Sequence, residues 1–267
     1  MELRSQEVSP PPPRRRSRRR RLVLLVSVLA VLGAGAALLL LWKKEGGEHA
    51  TSLTVPEGRR SSQVYEAVDR ALGAAPGTAK KAAASANLPL PVAAGGNPEG
   101  YLFPATYPVK DSTTAASLLS YMVRTANERF GTGPDVHRDV VVASIVQAEA
   151  DTTADMGKVA RVIRNRLDRD MPLQMDSTLN YAMNRSTLDT THEDTRLDSP
   201  YNTYERKGLP PAPIGNPGLE ALRATRNPPP GNWLYFVTVK PGDTRFTDDY
   251  EVQKRNVAEF NEIRKNG

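Results

Sequence analysis

The sequence predicts a mixed α+β domain held behind a single membrane-spanning helix. Three observations carry this. Residues 22–42 form one uncharged apolar run, the rest of the chain alternates helical periodicity with short aromatic and β-branched runs, and the charge is divided sharply between the two parts. The run LVLLVSVLAVLGAGAALLLLW holds 21 residues without a charge. As a helix it would measure roughly 31 Å, about the hydrocarbon thickness of a bilayer. It exceeds the 7–15 apolar residues of a cleavable signal, and four Leu and a Trp follow its small-residue stretch. We therefore expect a retained anchor.

The chain has 267 residues and a net charge of +6, but residues 1–44 alone carry ten Lys/Arg against two Glu. The remaining 223 residues hold 26 Lys/Arg and 28 Asp/Glu, a net −2. All of the basicity is therefore N-terminal. The Arg cluster 14–21 precedes the apolar run and only Lys43 and Lys44 follow it. That asymmetry predicts a cytoplasmic N-terminus, a cell-membrane location and an extracytoplasmic C-terminal part. A nearly neutral domain gives no sign of a nucleic-acid-binding face. There is no Cys, which excludes disulfides, thiolate metal sites and a Cys nucleophile. The three His (His49, His137, His192) form no metal-binding pattern, and a peptidase would find few bases.

The expected organisation is a basic tail (1–21), a transmembrane helix (22–42), a linker (43–52), a small module (53–97) and a larger α+β domain (98–267). In the module, Leu53–Val55 reads as a strand and Pro56–Gly58 as a turn. Ser61 or Ser62 would cap a helix with Val64, Val68 and Leu72 on one face, and 79–86 reads as a second helix. The Pro- and Gly-rich stretch 87–97 is taken as the boundary. Beyond it, helices are expected over 113–129, 138–150, 156–168, 219–226 and 250–264. Trp233–Val239 is the clearest strand and 171–175 a second candidate. Residues 197–218 form a long loop dense in Pro and Gly, and such loops are often functional.

The helix VVVASIVQAEA (140–150) carries the first chemical signal. Its apolar face runs through Val142, Ile145 and Val146, and the same spacing lands on Glu149. A carboxyl thus stands where periodicity asks for an apolar side chain. Either it turns to water at the helix end, or it is buried and kept protonated as a general acid. In VARVIRNRL (159–167), Val159, Val162, Ile163 and Leu167 form the core stripe, leaving Asn165 and Arg166 as capping or solvated groups. LQMDSTLNY (173–181) and SPYNTY (199–204) supply the amide, hydroxyl and aromatic side chains that line carbohydrate clefts, although each such residue taken singly also suits a turn or a cap.

Taken together, EGYLFPATY (99–107), ASIVQAEA (143–150), VARVIRNRL, LQMDSTLNY and SPYNTYERKGLPPAPIGNPG (199–218) resemble the YceG-like family of membrane-anchored endolytic murein transglycosylases. The resemblance runs from about residue 53 to the C-terminus. It implies a lytic transglycosylase domain and cleavage of the β-1,4 bond between N-acetylmuramic acid and N-acetylglucosamine of nascent strands, leaving 1,6-anhydro ends. It places the catalytic carboxyl at Glu149, because position 147 is Gln where relatives often have Glu. Gln174, Asp176, Tyr181, Asn202 and Tyr204 become the candidates for holding sugar or orienting Glu149, with Glu99 as a further carboxylate inside a matching motif. It implies no metal or cofactor. Peptidoglycan strands are the implied substrate, with peptidoglycan synthases or divisome and elongasome proteins as candidate partners. The module 53–97 would be a single, degenerate LysM-like unit where relatives often have two. Gly242–Asp249 stands where relatives often carry a His, and this chain has none there. A binding scaffold that has lost catalysis, and a conventional muramidase, remain the rival readings.

Overall fold

Strand β1 (Thr51–Thr54) pairs antiparallel with β2 (Thr106–Val109), with Leu53 opposite Tyr107 and Thr51 opposite Val109. This computed structural model describes residues 51–187 and 190–266. The basic tail and the expected span 22–42 lie outside the described residues, and among those described no helix is long and apolar enough to cross a membrane. Between the paired strands come α1 (Ser61–Ala71) and α2 (Thr78–Ser85). The β1–β2 ribbon therefore closes across the stretch 87–97 that reads as a boundary in sequence. Residues 50–267 cluster as one unit. Leu53, Val55, Val64, Val68 and Ala79 belong to the same buried core as the helices that follow. Buried residues on both sides of the expected seam at 97/98 thus share one core.

That core is built on α3 (Ala115–Phe130), α4 (Val136–Glu149), α5 (Thr153–Asp168) and α7 (Leu219–Arg226), with α6 (Asp176–Ala182) lying against α4. Helix α3 begins where Thr114 and Ser117 exchange hydrogen bonds, each hydroxyl accepting from the other's backbone N–H. It buries Leu118, Leu119, Met122, Val123, Ala126 and Phe130. In α4 every residue from Val140 to Val146 is buried, so this helix is central rather than amphipathic. Helix α5 starts on Thr152, whose hydroxyl accepts from the Asp155 N–H. The chain ends in a hairpin, β3 (Tyr235–Lys240) and β4 (Asp243–Thr247), covered by α8 (Tyr250–Asn266). Arg245 fastens it by reaching Asp243 and Glu259.

Four stretches depart from expectation. Residues 171–175 make only an isolated bridge, Pro172 to Lys207, and Gln174 takes a left-handed φ of 53° that no strand continues. Helix α6 follows at once, and its seven residues are too few to show a helical period. β2 and β4 escaped the sequence because one contains a Pro and the other alternates charge with Thr and Phe.

The loop 197–218 is irregular yet interior. Asn202, Thr203 and Asn216 are buried with Ile214. Their polar groups replace the hydrogen bonds that regular structure would supply. Asn216 Nδ2 donates to Arg59 O at 2.7 Å and its Oδ1 accepts from Leu102 N at 2.7 Å. Glycine is required where the backbone comes closest: a Cβ on Gly100, at φ +86°, would lie 2.6 Å from the Pro213 ring.

Candidate active site

Glu149 is the last residue of α4, continuing the face of Val142, Ile145 and Val146, all buried. Part of its surface remains open to solvent, yet the atoms packed around the carboxyl are dense. Burial is the leading cause that pushes its pKa up, and the charge of Asp176 adds to it. Ser177 opposes the rise, first through its hydroxyl and then through its backbone N–H, which lies 3.3 Å from Glu149 Oε1. The sequence argument for a carboxyl on an apolar face thus meets a real environment that favours its protonated form.

Asp176 and Ser177 open α6, and the turn carrying them is pinned to the 197–218 loop. Met175 N donates to Thr203 Oγ1 at 3.0 Å, Gln174 N to Thr203 O at 2.9 Å, and the Thr178 and Thr203 hydroxyls bond at 2.9 Å. The Tyr204 hydroxyl donates to Asp176 Oδ1 at 2.5 Å. Burial, Asp176 and the charge of Glu149 all raise the Tyr204 pKa, so the phenol stays a donor. Glu149, Asp176, Ser177 and Tyr204 therefore form one group assembled from α4, α6 and the loop.

Beside this group lies Arg166, which corrects the sequence reading. It is 6% exposed. Its Nε donates to Leu234 O at 2.6 Å, and its Nη1 reaches Pro172 O, Leu173 O and Gln174 Oε1 at 2.9–3.0 Å. The guanidinium also lies over the Tyr235 ring. Residue 166 follows Val159, Val162 and Ile163 on the buried stripe, so its position was the available signal. Asn165 is likewise neither cap nor solvated: its Nδ2 donates to Gly231 O and Trp233 O.

A second carboxylate centre lies around Glu99, which is 4% exposed. It accepts from Ser61 N at 2.9 Å, Tyr181 OH at 3.1 Å and Asn216 Nδ2 at 3.4 Å. Tyr181 packs on Tyr201 and under Arg60. Burial raises the Glu99 pKa, while Ser61, Tyr181 and Arg60 lower it. Between the two centres opens a cleft of about 370 Å³ walled by Gly58, Arg60, Ala148, Ser177, Asn180 and Ile214. A larger depression of about 610 Å³ over Arg196, Asp198 and Arg206 is walled mainly by charged side chains; neither wall includes Glu149 itself, but the smaller one includes its neighbour Ala148. We place the site at the smaller cleft, because its wall includes Ser177, whose N–H reaches Glu149.

With this geometry in view, the comparison with known proteins is specific. The model of the YceG-like family matches residues 32–259. The chain belongs to the YceG-like family. An endolytic murein transglycosylase of Bacillus subtilis is 38% identical over 158 residues, which are 56% of this chain and 44% of that protein. One of Streptococcus pneumoniae is 38% identical over 175 residues, 60% of this chain and 32% of that protein. The chain thus spans less than half the length of these curated relatives. A crystal structure of a YceG-like protein from Listeria monocytogenes aligns with TM-score 0.64 and 28% identity, over 77% of this chain and 75% of that one.

Within this YceG-like chain the candidate residues divide. Glu149, Asp176 and Tyr204 converge. Gln174 is exposed beside them and held by Arg166. Tyr181 belongs to the Glu99 centre. Asn202 is corrected: it is 0% exposed, donates to Thr195 O and Leu197 O, and accepts from Tyr204 N. It fixes the loop that delivers Tyr204 and has no group left for a sugar. Gln147, standing where relatives often have Glu, accepts from Gly218 N at 3.0 Å and anchors the far end of the same loop. Sequence reasoning missed Ser177, Arg166 and the Arg60 wall of the cleft. Arg60 lies in the 51–97 segment, which the expected boundary had set apart from the site.

Proposed function

We propose that this chain is an endolytic murein transglycosylase, with Glu149 as its acid and base. The observation that carries the reading is a carboxyl held toward its protonated form and bonded to Ser177, a wall residue of the cleft, in a chain whose curated relatives bear that name. In the proposed reaction the Glu149 carboxylic acid gives its proton to the glycosidic oxygen as the C1–O bond breaks. The muramic C6 hydroxyl then bonds to C1, and the Glu149 carboxylate takes the hydroxyl proton. The acid is regenerated, a 1,6-anhydro end is left and no water is consumed. One carboxyl is enough.

Asp176 supports a second reading, since a muramidase would use two carboxylates and release a reducing end. Products and pH dependence separate the two. Under the lytic reading, digested sacculi yield anhydro-muropeptides, and Asp176→Asn keeps making them. Removing the Asp176 charge lowers the Glu149 pKa, so the alkaline limb of the kcat/KM profile moves to lower pH. Reducing ends from the parent, together with their loss in Asp176→Asn, would favour the muramidase.

The proposal extends to location. With residues 22–42 as a retained span and the Arg cluster inside, the domain would face peptidoglycan and the enzymes that build it. Protease added to intact spheroplasts should then degrade residues after about Lys44 and spare the basic tail. Full protection of the domain would contradict this topology.

A further inference from the structure

The reaction proposed above needs Glu149 in two states, acid in the first half and carboxylate in the second. The groups acting on it do not serve both. Asp176 on α6 favours the acid by its charge. Tyr204 on the 197–218 loop gives its hydroxyl to Asp176. Arg166 on α5 turns its Nε and Nη1 to carbonyl oxygens and Gln174, and no bond from it to Glu149 is made. The residue that touches the carboxyl with donors is Ser177. Its N–H already lies 3.3 Å from Oε1. Its Oγ is buried, completes no hydrogen bond of good geometry among the described residues, and yet lies near enough to the Glu149 carboxyl to oppose the rise in its pKa. A buried hydroxyl left unpaired is unfavourable and calls for an explanation. The turn that carries it is no loose end, since Thr203 fixes Met175 and Thr178 on either side.

We propose that Ser177 is the positioning residue of Glu149: its hydroxyl turns to donate to the carboxylate once the proton has left, and with its backbone N–H it forms a two-donor clamp. The clamp holds the carboxylate in place for the C6 hydroxyl and releases it on reprotonation. The Oγ, close to the carboxyl but without a well-formed hydrogen bond, is then the resting state of a donor that closes fully in mid-reaction. The idea rests on Glu149 being the acid and base.

The test compares Ser177→Ala, Ser177→Thr and Glu149→Gln in the intact protein, with thermal melting to confirm folding. Ser177→Ala should lower kcat for anhydro-product formation by roughly ten- to a hundredfold, the scale of one hydrogen bond to a charged group, and leave KM within about twofold. Loss of a donor to the carboxylate raises the Glu149 pKa, so the alkaline limb should move to higher pH. Ser177→Thr keeps the hydroxyl and should restore most of the rate and the parent limb. A parent-like rate and limb in Ser177→Ala overturn the proposal, as does a raised KM with an unmoved limb, which would make the hydroxyl a sugar ligand. A folded Ser177→Thr no better than Ala also overturns it. Glu149→Gln distinguishes the levels: if it stays active the acid–base reading itself fails, whereas an inert Gln variant beside a parent-like Ala variant removes only the clamp.

Discussion

Replacing Glu149 by Gln abolishes release of 1,6-anhydro ends and leaves the fold intact. Gln has nearly the same shape and can still accept the Ser177 N–H, but it neither gives nor takes a proton. General acid–base catalysis contributes about 10²–10⁴-fold, and one group serves both steps here, so the loss reaches the upper end or beyond. The same variant reports on stability. Burial raises the Glu149 pKa, so the folded state binds its proton more tightly than the unfolded chain does. The stability this contributes is full below the unfolded carboxyl pKa and is lost as pH rises through the folded one. The Gln variant should therefore melt no lower than the parent at neutral pH, and its relative advantage should vanish in acid. Anhydro-product release within a few-fold of the parent would remove Glu149 from the mechanism. Asp176 would inherit the role before Glu99, which is already saturated by Ser61, Tyr181 and Asn216.

A fragment beginning at Asn97 does not fold. This reverses what the Pro- and Gly-rich stretch suggests, and β1 is the reason. Without β1, β2 has no partner. Leu53, Val55, Val64 and Val68, each under 9% exposed, leave the core. At about 1.5–3 kcal/mol for each buried aliphatic side chain, their loss rivals the 5–15 kcal/mol that a domain has in total. Glu99 loses the Ser61 N–H that offsets its burial, and the cleft loses Gly58 and Arg60. Circular dichroism melting should show a cooperative transition for residues 51–267 and none for 97–267. A cooperative, active 97–267 fragment would restore the boundary.

How far the sequence reached depended on how local each signal was. Helix α7 was legible to the residue, and α3, α4 and α5 to within a few, because each carries several turns of apolar periodicity. Glu149 was legible for the same reason, as the carboxyl that breaks its own helix's pattern. Helix α6 is too short to show a period, β2 is four residues interrupted by Pro108, and the aromatic and β-branched residues of β4 alternate with Asp243 and Arg245. The site suffered most where its parts lie far apart in the chain. Arg166 looked solvated because nothing nearby in sequence accepts its hydrogen bonds; its acceptors include Leu234, 68 residues away. Asn202 looked like a sugar ligand because amides line carbohydrate clefts, yet the carbonyls of its own loop consume it.

The sequence by itself determined the charge division, the apolar run, the central helix with a carboxyl on its apolar face and the motifs that place the chain in its family. These are properties of composition and of contacts one helical turn apart, which the chain carries wherever it folds. Only the tertiary structure decided that residues 51–97 belong to the core, that Asp176 rather than Glu99 stands by Glu149, and that Ser177 faces it. A strand's partner, a buried charge's acceptors and a carboxyl's pKa depend on groups that meet only after the loops close, and no local pattern encodes which ones will meet.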